Sequence, residues 1–232
     1  MKTFEEFLNE KRVTATATKD RPKVSKEQLR DLILNGVDPD TVDYSDITDM
    51  NRMFKGCSSL KEIPLLDTSN VTNMQGMFYG CSSLKEIPLF DTSKVTDMSR
   101  MFYNCSSLEQ IPLLDTSEVI GMADMFYKCS SLKEIPLLDT SKVTDMDGTF
   151  YRCSSMKEIP LLDTSNVTDM RWTFVECSLL EKIPLLDTSK VTYMTDMFKG
   201  CTKLIEYYKE HLDEARKFKG LEKAFRDVGV MV

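Results

Sequence analysis

Several features that mark common protein functions are missing from this chain of 232 residues. It has a single histidine, no apolar run near the ~20 residues needed to span a bilayer, and no glycine-rich phosphate loop. Its 30 Lys and Arg residues lie among 37 Asp and Glu residues and give a net charge of −7. A nucleic-acid groove needs clustered cations to displace phosphate counterions. The composition therefore argues against a membrane-spanning protein, a nucleotide-binding loop and a nucleic-acid interface.

What the chain does have is a repeat of 24 residues. The unit reads D-T-S-x-V-T-x-M-x-x-M-F-x-x-C-S-S-L-K-E-I-P-L-L, and Phe, Met, Val and Ile recur with the same period as cysteine. Fixed periods of ~20–30 residues are typical of leucine-rich-repeat solenoids. Stacking is required because one unit cannot bury its apolar side chains alone. The cysteine ladder comprises Cys57, Cys81, Cys105, Cys129, Cys153, Cys177 and Cys201.

Each unit divides into two predicted pieces. The L-x-x-I-x-L spacing of Leu60–Leu65 indicates a short strand whose alternate side chains enter the core. The apolar positions of Val71–Phe78 suit two helical turns, with Thr72 as N-cap and Gln75 in a capping box. The sequence thus predicts an α/β fold, a right-handed leucine-rich-repeat solenoid of seven 24-residue units with short parallel strands and short helices.

Both ends of the solenoid are predicted to carry helical caps. Ser25 and Gln28 form a capping box that opens a helix, and Gly36 ends it. After the last repeat, residues 205–219 and then 221–227 are typical of charged amphipathic helices. The predicted organisation is residues 1–10 as a peptide, 11–23 as a polar linker, 24–42 as the N-terminal cap, 43–204 as the solenoid and 205–232 as the C-terminal cap.

The repeats resemble a known family. Residues 67–84, D-T-S-N-V-T-N-M-Q-G-M-F-Y-G-C-S-S-L, are similar to the BspA-type leucine-rich repeats, and the resemblance covers about residues 43–204. It implies a curved solenoid with parallel strands. Better-known members are bacterial surface proteins that bind host proteins. Residues 1–20 here lack the apolar region of a secretory signal, so a reducing, cytoplasmic location is expected instead.

The first ten residues, M-K-T-F-E-E-F-L-N-E, resemble a second family, the capsid-targeting peptides of internal head proteins in T-even-type bacteriophages. In that family a protease cuts after a glutamate in an L/I-x-E context. Leu8, Asn9 and Glu10 fit this processing site, which would leave a chain that begins at Lys11. The alternative is an amphipathic helix whose Phe4, Phe7 and Leu8 meet the N-terminal cap.

No catalytic or metal-binding set is predicted. Cysteines 24 residues apart lack the close spacing of zinc ligands, and a ladder that points one way favours buried thiols over disulfides. Twelve of the 15 methionines lie at two repeat positions and suit core filling. His211 has no identifiable partner for acid–base chemistry. We therefore expect a non-enzymatic chain with no cofactor.

Positions that stacking leaves free can bind a partner. The largest departures from the repeat occur late in the array, and the hypothesis is a protein-binding patch of Arg152, Arg171, Trp172 and Glu176, since exposed Trp and Arg are typical of interface hot spots. The alternative is sequence drift. A second predicted surface is the face that carries one proline per unit, from Pro64 to Pro184.

The functional prediction is a monomeric protein-binding scaffold without nucleic-acid or membrane partners. Its finer version is a bacteriophage head protein, carried in the virion head and then released into the host cytoplasm, where it binds or inhibits a host-encoded defence protein. The alternative is a bacterial surface or adhesion module.

Overall fold

The computed structural model describes residues 21–231. Helix α1 spans Lys26–Leu34 and is followed by a 3₁₀ turn at Pro39–Thr41. Helices α2, α3 and α4 span Thr202–Glu210, Leu212–Ala215 and Glu222–Asp227. Between these two groups the described chain contains neither a helix nor a continuous strand. It is built from rungs joined by isolated parallel bridges at Asp49↔Asn73, Asn73↔Asp97, Asp97↔Gly121, Gly121↔Asp145, Asp145↔Asp169 and Asp169↔Tyr193.

Each rung contains two consecutive turns where the sequence predicts a helix. In the first rung, Met53 N donates to Met50 O and Cys57 N donates to Phe54 O, and the third residues of these turns, Arg52 and Gly56, have positive φ angles. A hydrogen bond from i+3 to i with positive φ at i+2 is typical of a type II turn. The helix predicted over residues 71–78 and its equivalents, with the Thr72 cap, is therefore wrong.

The reason lies in the alternate backbone amides of each rung. Arg52 N and Phe54 N donate to Gln75 O and Met77 O of the next rung at 2.9 and 2.8 Å. The amides between them bond inside their own turns. Because every second amide binds the neighbouring rung, the i to i−4 bonds of a helix cannot form.

The predicted strands over Leu60–Leu65 and its equivalents are also absent from residues 43–201. Where this segment pairs between rungs it does so through a single backbone bond, such as Glu109 N to Lys85 O at 2.9 Å and Glu181 N to Lys157 O at 2.9 Å. Each copy contains a proline, which has no amide hydrogen to donate. Proline thus stops the ladder before it becomes a strand.

The interior consists of columns of identical side chains. The phenylalanine rings from Phe54 to Phe198 are stacked, with centroids 5.6–5.9 Å apart. Six of the cysteines are buried, and each donates its thiol hydrogen to a Phe carbonyl one rung below, as Cys81 does to Phe54 O at 3.1 Å. Burial raises the pKa of Cys81 to about 12, so this thiol stays protonated and unreactive.

Buried threonines tie consecutive rungs together on another side. Thr68, for example, donates its hydroxyl to Asp91 O at 2.8 Å, and the same bond recurs from rung to rung up to Thr164. The last threonine, Thr188, donates to Lys219 O of the C-terminal segment instead. The chain after the repeats therefore replaces a rung at this point.

Both ends carry helices. Ser25 and Gln28 form the predicted capping box of α1, and Leu29 and Ile33 are buried against the first rung. At the other end the predicted long helix over 205–219 begins earlier, at Thr202, and is interrupted at His211, whose φ of −124° and ψ of 54° are not helical. Phe225 of α4 stacks on Phe198 and continues the phenylalanine column.

A second column of stacked aromatic rings lies on the outer side of the array. Four tyrosines on the outer side, from Tyr79 to Tyr151, stack with centroids 4.3–4.5 Å apart, whereas the inner phenylalanines beside them are 5.6–5.9 Å apart. The tyrosine rings are therefore in closer stacking contact than the phenylalanine rings.

Candidate functional site

A column of leucines lies on the surface. Each unit contains two adjacent leucines or Leu-Phe, and only the second, such as Leu66, is buried in the core. The first points outward, with exposures of 37–64% for the five most exposed. The expectation that Leu65 enters the core is thus wrong, and no pattern in the repeat indicated this surface. We call it the leucine stripe, comprising Leu65, Leu89, Leu113, Leu137, Leu161 and Leu185.

Acidic residues border the leucine stripe. The aspartate two residues after each leucine accepts a hydrogen bond from the backbone of the following serine, as Asp163 does from Ser165 N at 3.0 Å. Hydrogen bonds from the hydroxyl and the backbone amide of this serine hold the pKa values of Asp139, Asp163 and Asp187 below the usual range. The carboxylates are therefore charged at neutral pH. The stripe is an apolar surface with a negative edge.

A second exposed surface is formed by two aromatic side chains and an arginine. The Arg171 guanidinium lies 5.8 Å from the Trp172 ring centroid and 5.4 Å from that of Tyr193. Trp172 is 43% exposed and Tyr193 is 56% exposed. Asp169 fixes Arg171 through an ion pair of 2.6 Å. We call Arg171, Trp172 and Tyr193 the aromatic patch.

The four residues singled out from the sequence fall into two pairs of contacts. Arg171 contacts Trp172, whereas Arg152 pairs with Glu176 through two hydrogen bonds of 2.7 and 3.0 Å. The sequence argument did not include Tyr193. The departure of Tyr193 from the repeat was detectable in the sequence, because the equivalent positions in the other rungs hold Asp, Asn or Gly.

The charged face of the array holds an open depression of about 300 Å³. Its charges compensate one another across rungs, as in the Lys133–Glu109 ion pair of 2.7 Å. Exposed pairs of this kind are typical of a solvated surface. The depression is lined by Lys85, Glu86, Glu109, Gln110, Lys133 and Glu134.

No constellation for catalysis or metal binding stands out in the described chain. The His211 ring nitrogen Nδ1 lies 2.8 Å from Tyr207 O, and the ring stacks on Tyr207. Residues 21–231 contain no group of three or more His, Cys, Asp or Glu side chains arranged to hold a metal ion. None of their helices has the length and apolar character required to cross a bilayer.

The stacked rungs, buried ladders and end helices define a repeat solenoid of the leucine-rich-repeat class. A solved structure of this class, a leucine-rich repeat protein of T. pallidum, is similar with a TM-score of 0.58 and 26% identity over 75% of this chain and 77% of the other. The chain belongs to the family described as Mycoplasma protein of unknown function, DUF285, whose model matches residues 27–136 and 122–228. No curated protein sequence matches it.

Two further solved structures are similar at lower TM-scores. A leucine-rich repeat protein of Eubacterium ventriosum has a TM-score of 0.47 and 24% identity, over 62% of this chain and 37% of the other. One from Bacteroides ovatus has a TM-score of 0.41 and 25% identity, over 63% of this chain and 42% of the other.

Proposed function

We propose that this chain is a protein-binding scaffold that uses the leucine stripe as its main contact surface. The stripe supports this because stacking does not need it: the second leucine of each unit already fills the core. Large apolar surfaces on soluble proteins are typical of interaction sites. The negative edge favours a partner that combines apolar side chains with Lys or Arg, since opposite charges steer association.

The experiment compares partner capture by a stripe variant and a control variant, both of which replace exposed apolar side chains with hydroxyl-bearing ones. Leu137→Ser with Leu161→Ser removes two neighbouring leucines of the stripe, both exposed. Ile120→Thr is the control, because Ile120 is an exposed apolar residue that lies outside the stripe, in a column otherwise made of threonine. Proteins retained from a lysate of the encoding organism are measured by quantitative mass spectrometry.

We expect at least one protein to be retained by the wild type and by Ile120→Thr and to be lost with the double variant. Loss of two interface anchors weakens binding by about 2 kcal/mol or more, roughly 30-fold. Equal retention by all three proteins, with unchanged thermal unfolding, would contradict the stripe as a contact surface.

A finer proposal is that the partner is a host defence protein and the chain is packaged in a bacteriophage head. It depends on residues 1–10 and the processing site Leu8, Asn9 and Glu10, which lie outside the described residues. Mass spectrometry of the native protein tests it, since a chain that begins at Lys11 supports head packaging.

The second candidate function is a bacterial surface or adhesion module. The similarity to a leucine-rich repeat protein of the bacterium T. pallidum supports the bacterial origin that this candidate requires. Surface labelling of intact cells, followed by mass spectrometry of the labelled protein, tests this candidate. A labelled chain that still begins at Met1 would support the surface module over the packaged protein.

A further inference from the structure

The last rung of the array has an unused hydrogen-bonding edge. In the rung below, Met170 N donates to Tyr193 O at 2.8 Å and Trp172 N donates to Thr195 O at 3.0 Å. The equivalent amides of the last rung belong to Met194 and Asp196, and no acceptor for them is present among residues 21–231. Unpaired amides at alternate residues resemble the edge of a sheet and are able to pair with another chain.

The C-terminal helices cover only part of this edge. Phe198 is buried beneath Phe225 of α4. Val191 and Met194 are partly exposed, although the residues that occupy their columns in the middle rungs are buried. The uncovered part of the edge is therefore the segment 191–196.

The pairing between successive rungs shows which backbone geometry can bind to such an edge. Gly121 O and Ala123 O, for instance, accept from Met98 N and Arg100 N at 3.0 and 2.9 Å, while Met122 and Met98 are both buried in the core. The same parallel pairing joins all successive rungs. The edge at 191–196 continues this rung-to-rung interface, so its natural occupant has the same backbone geometry.

We propose that the segment 191–196 binds an extended segment of another protein, which runs parallel to it and accepts hydrogen bonds from Met194 N and Asp196 N. The bound segment carries an apolar side chain that lies on Met194 and a small residue beside Tyr193. This mode of recognition is β-strand addition, in which backbone bonds supply affinity and side-chain contacts supply specificity.

The aromatic patch lies at this same edge. Tyr193 is on the last rung, and Arg171 connects it to Trp172 on the rung below. Aromatic residues and arginine are the side chains most enriched at binding hot spots. The patch thus supplies the specificity contacts for a segment held by the edge. The site is separate from the leucine stripe and shares with the proposed function only the premise that the chain binds polypeptides.

The test uses a synthetic peptide with the sequence of residues 116–127, T-S-E-V-I-G-M-A-D-M-F-Y, whose carbonyls make these bonds in the array. It contains no tryptophan, so the fluorescence of Trp172, the single tryptophan of the chain, reports binding at the patch. Amide hydrogen exchange reports the edge. A scrambled peptide of the same composition is the control.

We expect the amides of Met194 and Asp196 to exchange freely without peptide and at least about tenfold more slowly at saturating peptide. Those of Met170 and Trp172 serve as internal references, since they are hydrogen-bonded in both states. The variant Tyr193→Asp introduces the residue found at this position in most other rungs and is expected to fold normally. It should weaken peptide binding about tenfold.

Three outcomes would overturn the proposal. A fluorescence change without protection of Met194 and Asp196 would show that the peptide contacts the patch alone. A doubled mass in light scattering without peptide, lost in Tyr193→Asp, would assign the edge to a second copy of the chain. Absence of both signals at millimolar peptide would show that the edge binds no extended segment. The stripe variants stay informative in each case, so the two proposals fail separately.

Discussion

The two ends of the array meet solvent in different ways. At the N-terminal end, Met50 is fully buried in the core that includes Leu29 of α1, and Lys26 Nζ donates to Asn51 O at 3.2 Å. At the C-terminal end, Met194 of the same ladder is partly exposed. Over the turns of each rung the difference follows from chain direction, because this part of the first rung presents backbone carbonyls and the same part of the last rung presents amides. A lysine can cap a carbonyl, whereas an amide needs an acceptor, and the C-terminal helices use their carbonyls internally.

The largest expected effect on stability comes from replacing methionines at the two ends of the column that runs from Met50 to Met194. Met50→Ala should lower the free energy of unfolding by about 2–5 kcal/mol, because it opens a cavity in a buried site. Met194→Ala should cost about 1 kcal/mol, because this side chain already contacts solvent. Urea unfolding followed by circular dichroism measures both, with Met170→Ala as the mid-array control. Equal losses at Met50 and Met194 would show that the ends are covered alike.

A smaller effect on stability is expected from replacing the glycines that lie next to the helices at the two ends of the array. Gly220 has a φ of +87°, and an added Cβ there would contact the Thr188 hydroxyl that closes the last rung. Gly220→Ala should destabilise by roughly 2–3 kcal/mol through backbone strain and the steric clash. Gly36 has a similar φ of +75° but open space around it, so Gly36→Ala should cost only about 1 kcal/mol. A thermal melt in which the two variants match would rule out the clash at Thr188.

The smallest expected effect concerns a half-buried carboxyl group in the middle of the array. Burial, together with Asp169, raises the pKa of Asp147 to about 6. Between pH 6 and about 4 the folded state holds a proton that the unfolded state has released, so the charged form costs stability above pH 6. Asp147→Asn, which introduces the residue of the first rung (Asn51), should therefore stabilise by about 1 kcal/mol at pH 7. The gain should vanish near pH 4.

The control for this prediction is Asp163→Asn. The Asp163 carboxylate accepts from Ser165 N, which lowers its pKa. This carboxylate contributes stability that is present at neutral pH and is lost as the pH falls through its folded-state pKa. Its replacement should destabilise at pH 7, opposite in sign to Asp147→Asn. Chemical denaturation at pH 7 and pH 4 distinguishes the two, and a stabilising effect of both would contradict the role of burial.

The order of side chains in the core follows directly from the sequence. A strict period of 24 places each residue on its own copy, so the phenylalanine and cysteine columns could be predicted without coordinates. Part of the aromatic patch could be predicted too, because Trp172 departs from the repeat. The leucine stripe could not, since two adjacent leucines give no indication of which one faces the core.

The conformation inside each unit was decided by tertiary structure alone. Apolar residues three and four apart, such as Met74, Met77 and Phe78, suit helical turns and two consecutive type II turns equally well. Only hydrogen bonds to the neighbouring rung distinguish them, and a single unit does not contain its neighbour. For the same reason the open edge at 191–196 appears only when the rungs are stacked: it is defined by the rung that does not follow.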